Sequence, residues 1–353
     1  MKRLIWLTGF ILSTSAYAQT EVVTGITRGK DYGVVYALPK TQLDLEITVC
    51  KVTYTPGEFC KYAERYLRLQ NISGDPETYW ELKKVEVKPI GVPDNSRTYF
   101  VKLKDKTVAP LIELTSDGII KSINVPYTKE EHPSGNIKKV DAKPALNPKD
   151  FLTEEILMAN STAKMAELVA KEIYTIRESK NALLRGQADN MPQDGVQLKL
   201  MLDNLNLQEE AMTEMFSGSV VKEEKTYHVV LTPDKELQNQ IAFRFSQKLG
   251  VVDNDDMAGS PYFISIKNLK SLNIPEEEDK KKKEEGIGYN VPGKALITLT
   301  DGKKVWSEQE ASITQFGVTE YLAPVLFNKK STIQVTFDPT TGGLLKVDRS
   351  ETE

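Results

Sequence analysis

Hydrophobic and polar residues alternate through QLDLEITV, where Leu43, Leu45, Ile47 and Val49 recur at every second position. That period marks a half-buried strand. VEVKPI, TYFVKL and APLIEL repeat it, and TSDGIIKSI sets Asp117-Gly118 between two such runs, a hairpin signal. One short helix is expected at FCKYAERYLRL, with Phe59, Tyr62 and Tyr66 on one face. Residues 19–127 therefore read as an N-terminal β-rich domain. From 128 to 150 the chain turns polar and proline-bearing, as a linker or long loop does.

Between 151 and 218 the period becomes helical. A first helix runs from Phe151 to Arg185, with Thr153 as cap, acidic residues in its first turn and Gly186 as its stop. Ala159, Ala163, Ala166 and Ala170 form a small-residue stripe along it. A second helix, VQLKLMLDNLNLQEEAMTEMFSG, carries Leu198, Met201, Leu205, Met212 and Met215 at heptad-like spacing. The two make an αα-hairpin joined by QADNMPQDG. Residues 219–353 return to strands at KTYHVVL, YFISI, KALITL, KKVWSE and TIQVTF, with a turn at Asp301-Gly302. Within them an amphipathic helix is expected at DKELQNQIAFRFSQKLG, ending in Gly250, and a charged, solvated loop over 275–286. The fold class is α+β: β-rich, sandwich-like N- and C-terminal regions joined by a long αα-hairpin.

The first eighteen residues change the compartment. Lys2 and Arg3 precede an apolar run from Leu4 to Leu12, and Ala16-Tyr17-Ala18 closes the segment, the order of parts in a secretory signal peptide. The run is shorter than the roughly 20 residues of a membrane span, and no later stretch is long and apolar enough to cross as a helix. An exported chain, periplasmic or associated with the outer membrane, is the expectation. Without Lys2 and Arg3, the 46 basic residues fall to 44 against 50 acidic ones, which disfavours a nucleic-acid partner. Cys50 and Cys60 are the only cysteines, and an oxidising space makes them candidates for a disulfide across the Pro56-Gly57 turn. With no nearby histidine they do not complete a zinc set.

Candidate chemistry is sparse. GYNVPGKALITL holds G-x-x-x-x-G-K at Gly288–Lys294, one residue short of a phosphate-binding loop. Such a loop needs a strand before it, a helix after it and a hydroxyl following the lysine. Here a charged run precedes, a strand pattern follows, Ala295 replaces the hydroxyl and Pro292 removes a backbone donor. No nucleotide site is expected, and no cofactor. Asp253, Asp255 and Asp256 crowd one loop and form a weak calcium candidate, but Met257, Ala258 and Ile264 break the EF-hand pattern. The two histidines, His132 and His228, come with no G-x-S-x-G elbow and no H-E-x-x-H, so no catalytic residue is assigned. Tyr79-Trp80, Trp306 and the pair Tyr32 and Tyr36 could stack on sugars, or serve as core and edge aromatics.

Six motifs in order, YGVVYALPKT, KYAERYL, Ile176 to Gly195, GIGYNVPGKALITL, ITQFGVTEYLAP and FDPTTGGLLKV, resemble the signatures of domain of unknown function 4831, a family of exported Bacteroidetes proteins. The resemblance spans nearly the whole chain after the leader. It implies export and a shared architecture, lends no reaction, cofactor or catalytic residue, and makes the near phosphate loop a family turn. The leading expectation is a non-enzymatic cell-envelope protein acting through a protein partner. The alternative is a carbohydrate- or peptidoglycan-acting hydrolase or binding protein using paired carboxylates, and a calcium-dependent ligand binder is a third reading.

Overall fold

A computed structural model describes residues 21–24, 33–102, 111–127, 147–272, 286–323 and 332–350. The expected leader, the stretch 128–146 of the linker, residues 275–285 of the charged loop, Tyr32 and His132 lie outside the described residues.

The alternating segments assemble into three antiparallel sheets. In the first, β1 (Glu21–Thr24), β3 (Glu77–Lys102), β2 (Gly33–Thr55) and β6 (Ser219–Leu231) lie side by side in that order. VEVKPI and TYFVKL are not separate strands; both belong to the 26 residues of β3. A second sheet has the order β11 (Val305–Leu322), β10 (Ile287–Thr300), β9 (Ser260–Asn268), β7 (Leu237–Ser246), β8 (Gly250–Val252). The third joins β13 (Leu344–Ser350), β12 (Thr332–Phe337), β5 (Ile120–Ile123) and β4 (Ile112–Leu114).

The chain is thus β-rich, with several sheets and one helical pair. The two β-rich regions are not separate bodies, however. β2 pairs with β6 from Leu43 to Thr55, and β5 pairs with β12. Strand pairing is indifferent to distance along the chain, so a reading by segments could not see it.

The alternation in β2 finds its reason in the core. Leu43, Leu45, Ile47 and Val49, with Val85 and Val87 of β3, share one cluster with Phe243, Ile264, Ile266, Ala295, Ile297 and Ile313 of the second sheet. Each fully buried side chain of this size contributes roughly 1.5–3 kcal/mol. β2 and β3 run on past this core into another, where Tyr36, Leu38, Tyr99 and Val101 meet Ile120, Ile123, Val335 and Phe337 of the third sheet.

A separate apolar cluster holds the helices: α1 (Ala63–Leu67), α2 (Glu154–Leu157), α3 (Thr162–Leu184) and α4 (Gly195–Ser217). Phe59, Ala166, Val169, Ala170, Ile173, Ile176, Met212, Met215 and Phe216 make up its centre. Ala166 and Ala170 are buried, so these two of the stripe do allow close packing; Ala159 precedes α3. The single helix expected from Phe151 to Arg185 is interrupted. Ser161 leaves the helical region and its hydroxyl accepts from the Lys164 N–H at 3.2 Å, starting a new helix as an N-cap does.

The helix expected at 234–250 is instead the β7–β8 hairpin. Its i, i+4 apolar spacing is overridden by pairing: β7 hydrogen-bonds β9 on one side and β8 on the other. Ala242, Phe243, Arg244 and Phe245 are all buried, as a strand enclosed on both faces requires. Gly250 keeps its meaning as a stop, because its φ of +84° suits a tight turn as well as a helix end.

Cys50 and Cys60 are free thiols, and the expected bridge is not made. Cys50 lies inside β2, opposite Glu81 and Glu224, and the strand continues to Thr55 before the chain turns. Five more residues of strand carry the chain roughly 17 Å onward before the turn that leads to Cys60.

Candidate interaction surface

The helical pair is anchored at one end only. α3 buries side chains from Ala166 to Leu183, but α4 buries none before Ala211. Sixteen residues of α4, roughly 24 Å at 1.5 Å per residue, therefore project without a fully buried side chain. Leu198, Leu202 and Leu205 are half-buried. Leu207 is half-buried too, whereas others face solvent: Leu184 is 66% exposed, Val196 78% and Leu200 63%, with Met191 and Met201 also exposed. Together these five offer on the order of 400 Å² of apolar surface.

The projecting end is nevertheless well built. Asp194 caps α4 by accepting from the N–H groups of Val196 and Gln197, each at 2.8 Å. Gly186, at φ +69°, ends α3, and the Gln187 N–H returns to the Ala182 carbonyl at 2.8 Å. Between the helices, Glu209 accepts from Arg177 Nε at 2.6 Å and from Lys180 Nζ at 2.7 Å. Burial pushes the Glu209 carboxyl up, but the hydrogen bonds and charges of Lys180 and Arg177 outweigh it and hold the group below its ordinary value.

The remaining candidates are scattered. Asp253, Asp255 and Asp256 sit in an exposed turn propped by Arg244, whose Nε donates to the Asn254 carbonyl at 2.7 Å and Nη1 to the Gly259 carbonyl at 2.9 Å. Among the described residues, their carboxylates do not form a three-ligand group. Asp44, Glu46 and His228 do, with one ligand atom each within 4.8 Å of the others. Asp44 and Glu46 are two apart on β2, and His228 is the direct partner of Glu46 on β6. The His228 ring Nδ1 lies 3.0 Å from Asp44, while Lys88 Nζ already holds Glu46 at 2.6 Å. A histidine and two carboxylates are donors a divalent cation accepts. Strand parity was the only signal that could have joined them.

Glu58, Glu210 and Glu214 line a cavity of about 870 Å³ between the start of β6, the end of α4 and the Pro56-Gly57 turn. Burial and then the charge of Glu210 push the Glu214 carboxyl up. Glu210 and Glu214 stand one turn apart on α4, while Glu58 comes from the turn that follows β2; glycoside hydrolysis needs carboxyl groups flanking the scissile bond.

The near phosphate loop is strand throughout, since Gly288–Lys294 lies in β10. A Cβ on Gly293 would meet the Phe316 carbonyl at 2.3 Å, and one on Gly317 the Val291 carbonyl at 2.1 Å. These glycines let two backbones touch at a bulge; no helix follows to hold a phosphate. Asn290, just before this bulge on β10, is buried, and its Nδ2 donates to the carbonyls of Pro39 and Thr341, each at 2.8 Å. Its Oδ1 accepts from Arg97 Nη1 at 3.3 Å. A few residues away, Thr41, Thr314 and Gln315 join β2 to β11: the Gln315 amide donates to the Thr41 carbonyl at 2.7 Å, and the Thr41 N–H to Thr314 Oγ1 at 3.0 Å.

A family model described as a domain of unknown function (DUF4831) matches residues 32–345. The chain belongs to this family. No curated protein and no solved structure matches it. The family's description carries no activity, but the geometry explains four of the six motifs. YGVVYALPKT supplies Pro39 and Thr41, GIGYNVPGKALITL supplies Asn290, ITQFGVTEYLAP supplies Thr314 and Gln315, and FDPTTGGLLKV supplies Thr341. They meet where the three sheets join, so these motifs do the work of assembly.

Proposed function

We propose that the chain is an exported, non-enzymatic cell-envelope protein, periplasmic or associated with the outer membrane, that acts by presenting the α3–α4 tip to a protein partner. In this reading the facing first and second sheets form a sandwich-like body whose task is to hold the helical pair. The observation that carries the reading is the exposure of Leu184, Val196 and Leu200 on a pair of helices that are capped and tied by Glu209. Exposed apolar side chains on a rigid, projecting element are suited to a partner's groove.

The test places a photo-crosslinking amino acid at Leu200, and at Glu223 on β6 as a control, in the chain expressed in its own cells. One discrete envelope protein captured from the tip and not from β6 is the expected result. Serine at Val196 and Leu184 should abolish that adduct while shifting stability by no more than about 0.5 kcal/mol, as surface changes do. Identical adducts from both positions, or none, would refute the proposal.

A further inference from the structure

The chain has three tryptophans, and Trp6 falls within the expected leader. The other two, Trp80 on β3 and Trp306 on β11, come from different sheets and line the same cleft of about 590 Å³. Its floor is the edge of the main core: Phe245 and Tyr262 are buried and Leu82 half-buried. Glu77, Glu81, Tyr79 and Gln247 form the rim. Both indoles are held in place. The Trp306 Nε1–H donates to Asp301 at 3.1 Å, and Tyr262 meets its ring edge-on at 5.7 Å. Trp80 lies over Gly250, where a Cβ would stand 3.1 Å from the indole. Trp306 also lines a second hollow of about 520 Å³, with Lys83 to Lys88, Lys304 and Gln309. Both hollows flank β3, and this grooved edge runs roughly 36 Å from Glu77 to Lys88 at about 3.3 Å per residue.

We propose that this groove binds a linear, uncharged oligosaccharide. Sugar rings have an apolar face and polar edges, which suits indole walls rimmed by carboxylates and amides. Charge argues against a polyanion: Lys83 pairs with Glu81, Lys84 with Glu86 and Lys88 with Glu46. Lys304 rests over one face of the Trp306 ring, 4.4 Å from its centroid, so a sugar can stack only on the other face. An extended peptide would add to the edge of β3, which β1 covers only at Tyr99–Lys102. Two of the main-chain groups it would need are already taken: the Trp80 N–H donates to the Gln247 carbonyl at 2.7 Å and the Gln309 amide donates to the Val87 carbonyl. A ligand recognised by ring faces and side chains does not need them. The groove is remote from the α3–α4 tip in sequence and fold, and its test is independent of that surface.

Fluorine NMR of the exported chain, without its expected leader and labelled with fluorotryptophan, reads both walls, with the two resonances assigned by Trp80→Phe and Trp306→Phe. The probes are cellohexaose, chitohexaose, mannohexaose and maltohexaose at millimolar concentration, each with its trisaccharide, and an uncharged decapeptide of valine and threonine. At least one hexasaccharide should shift the Trp80 and Trp306 resonances, binding more tightly than its trisaccharide. Trp306→Ala should weaken it about tenfold, the loss expected for one stacking contact. Because Trp306 also packs on the core, the rim variants Glu77→Ala and Gln247→Ala, which leave the core untouched, should each weaken binding several-fold. No shift with any hexasaccharide, a shift with the decapeptide instead, or unchanged affinity in both rim variants and in Trp306→Ala would overturn the proposal.

Discussion

Replacing Asn290 by alanine tests the junction of the three sheets. Asn290 is 1% exposed, and its amide is the donor to two buried carbonyls, those of Pro39 and Thr341. Asn290→Ala leaves both acceptors without that donor and returns no water to them. Each such orphaned group costs about 1–3 kcal/mol. The Arg97 guanidinium loses a weaker, longer contact but keeps Asp94 at 2.8 Å, so its share is small. The sum is a loss of about 3–5 kcal/mol, a large part of the 5–15 kcal/mol that holds a typical domain folded. In a chain of this size that lowers the melting temperature by about 5 °C. Urea unfolding followed by both circular dichroism and fluorescence is the assay, because agreement of the two probes licenses a two-state free energy. A variant within about 1 kcal/mol of the parent would refute the reasoning, since it would mean the carbonyls find other partners at little cost.

Two further outcomes follow from single groups. Thr213 Oγ1 is buried without a hydrogen-bond partner among the described residues, so Thr213→Val should leave stability unchanged or raise it by up to about 1 kcal/mol in the same assay; a loss larger than that would mean the hydroxyl has a partner. Asp301 accepts first from the Lys304 N–H, then from the Trp306 indole and the Lys303 N–H, which hold its carboxyl down at about 2. Its depressed folded value means that the stabilisation is full above the unfolded value near 4 and is lost as pH falls through about 2. In a Trp80→Phe background, the emission of Trp306 should change with a midpoint near 2 and lose that step in Asp301→Asn; a midpoint near 4 would show that the carboxylate is not held.

Much of the local structure was legible because it depends on neighbours along the chain. The alternation of Leu43, Leu45, Ile47 and Val49 named a strand and its buried face, and all four are fully buried. Asp117-Gly118 and Asp301-Gly302 named turns, and both glycines sit at φ +85°. The glycine after Arg185 ended α3 as expected. Where propensity and pairing conflict, the sequence misled: residues 237–246 satisfy a helical spacing, yet β8 and β9 supply hydrogen bonds that a solitary helix there could not match. The candidate surfaces divide in the same way. The apolar residues at the α3–α4 tip were visible as letters, but the heptad-like spacing could not say that Leu198 would be half-buried while Leu200 faced water.

By itself, then, the sequence determined the periods, the turns, the helix stops and the family, since each rests on residues within a few positions or on motifs in a fixed order. The tertiary structure alone decided that β2 would lie between β3 and β6, that Asn290 would hold Pro39 to Thr341, and that Trp80 and Trp306 would share a cleft. Those pairings join residues far apart in the chain, and what selects them is the burial of two sheet faces against each other, a property of no segment taken alone.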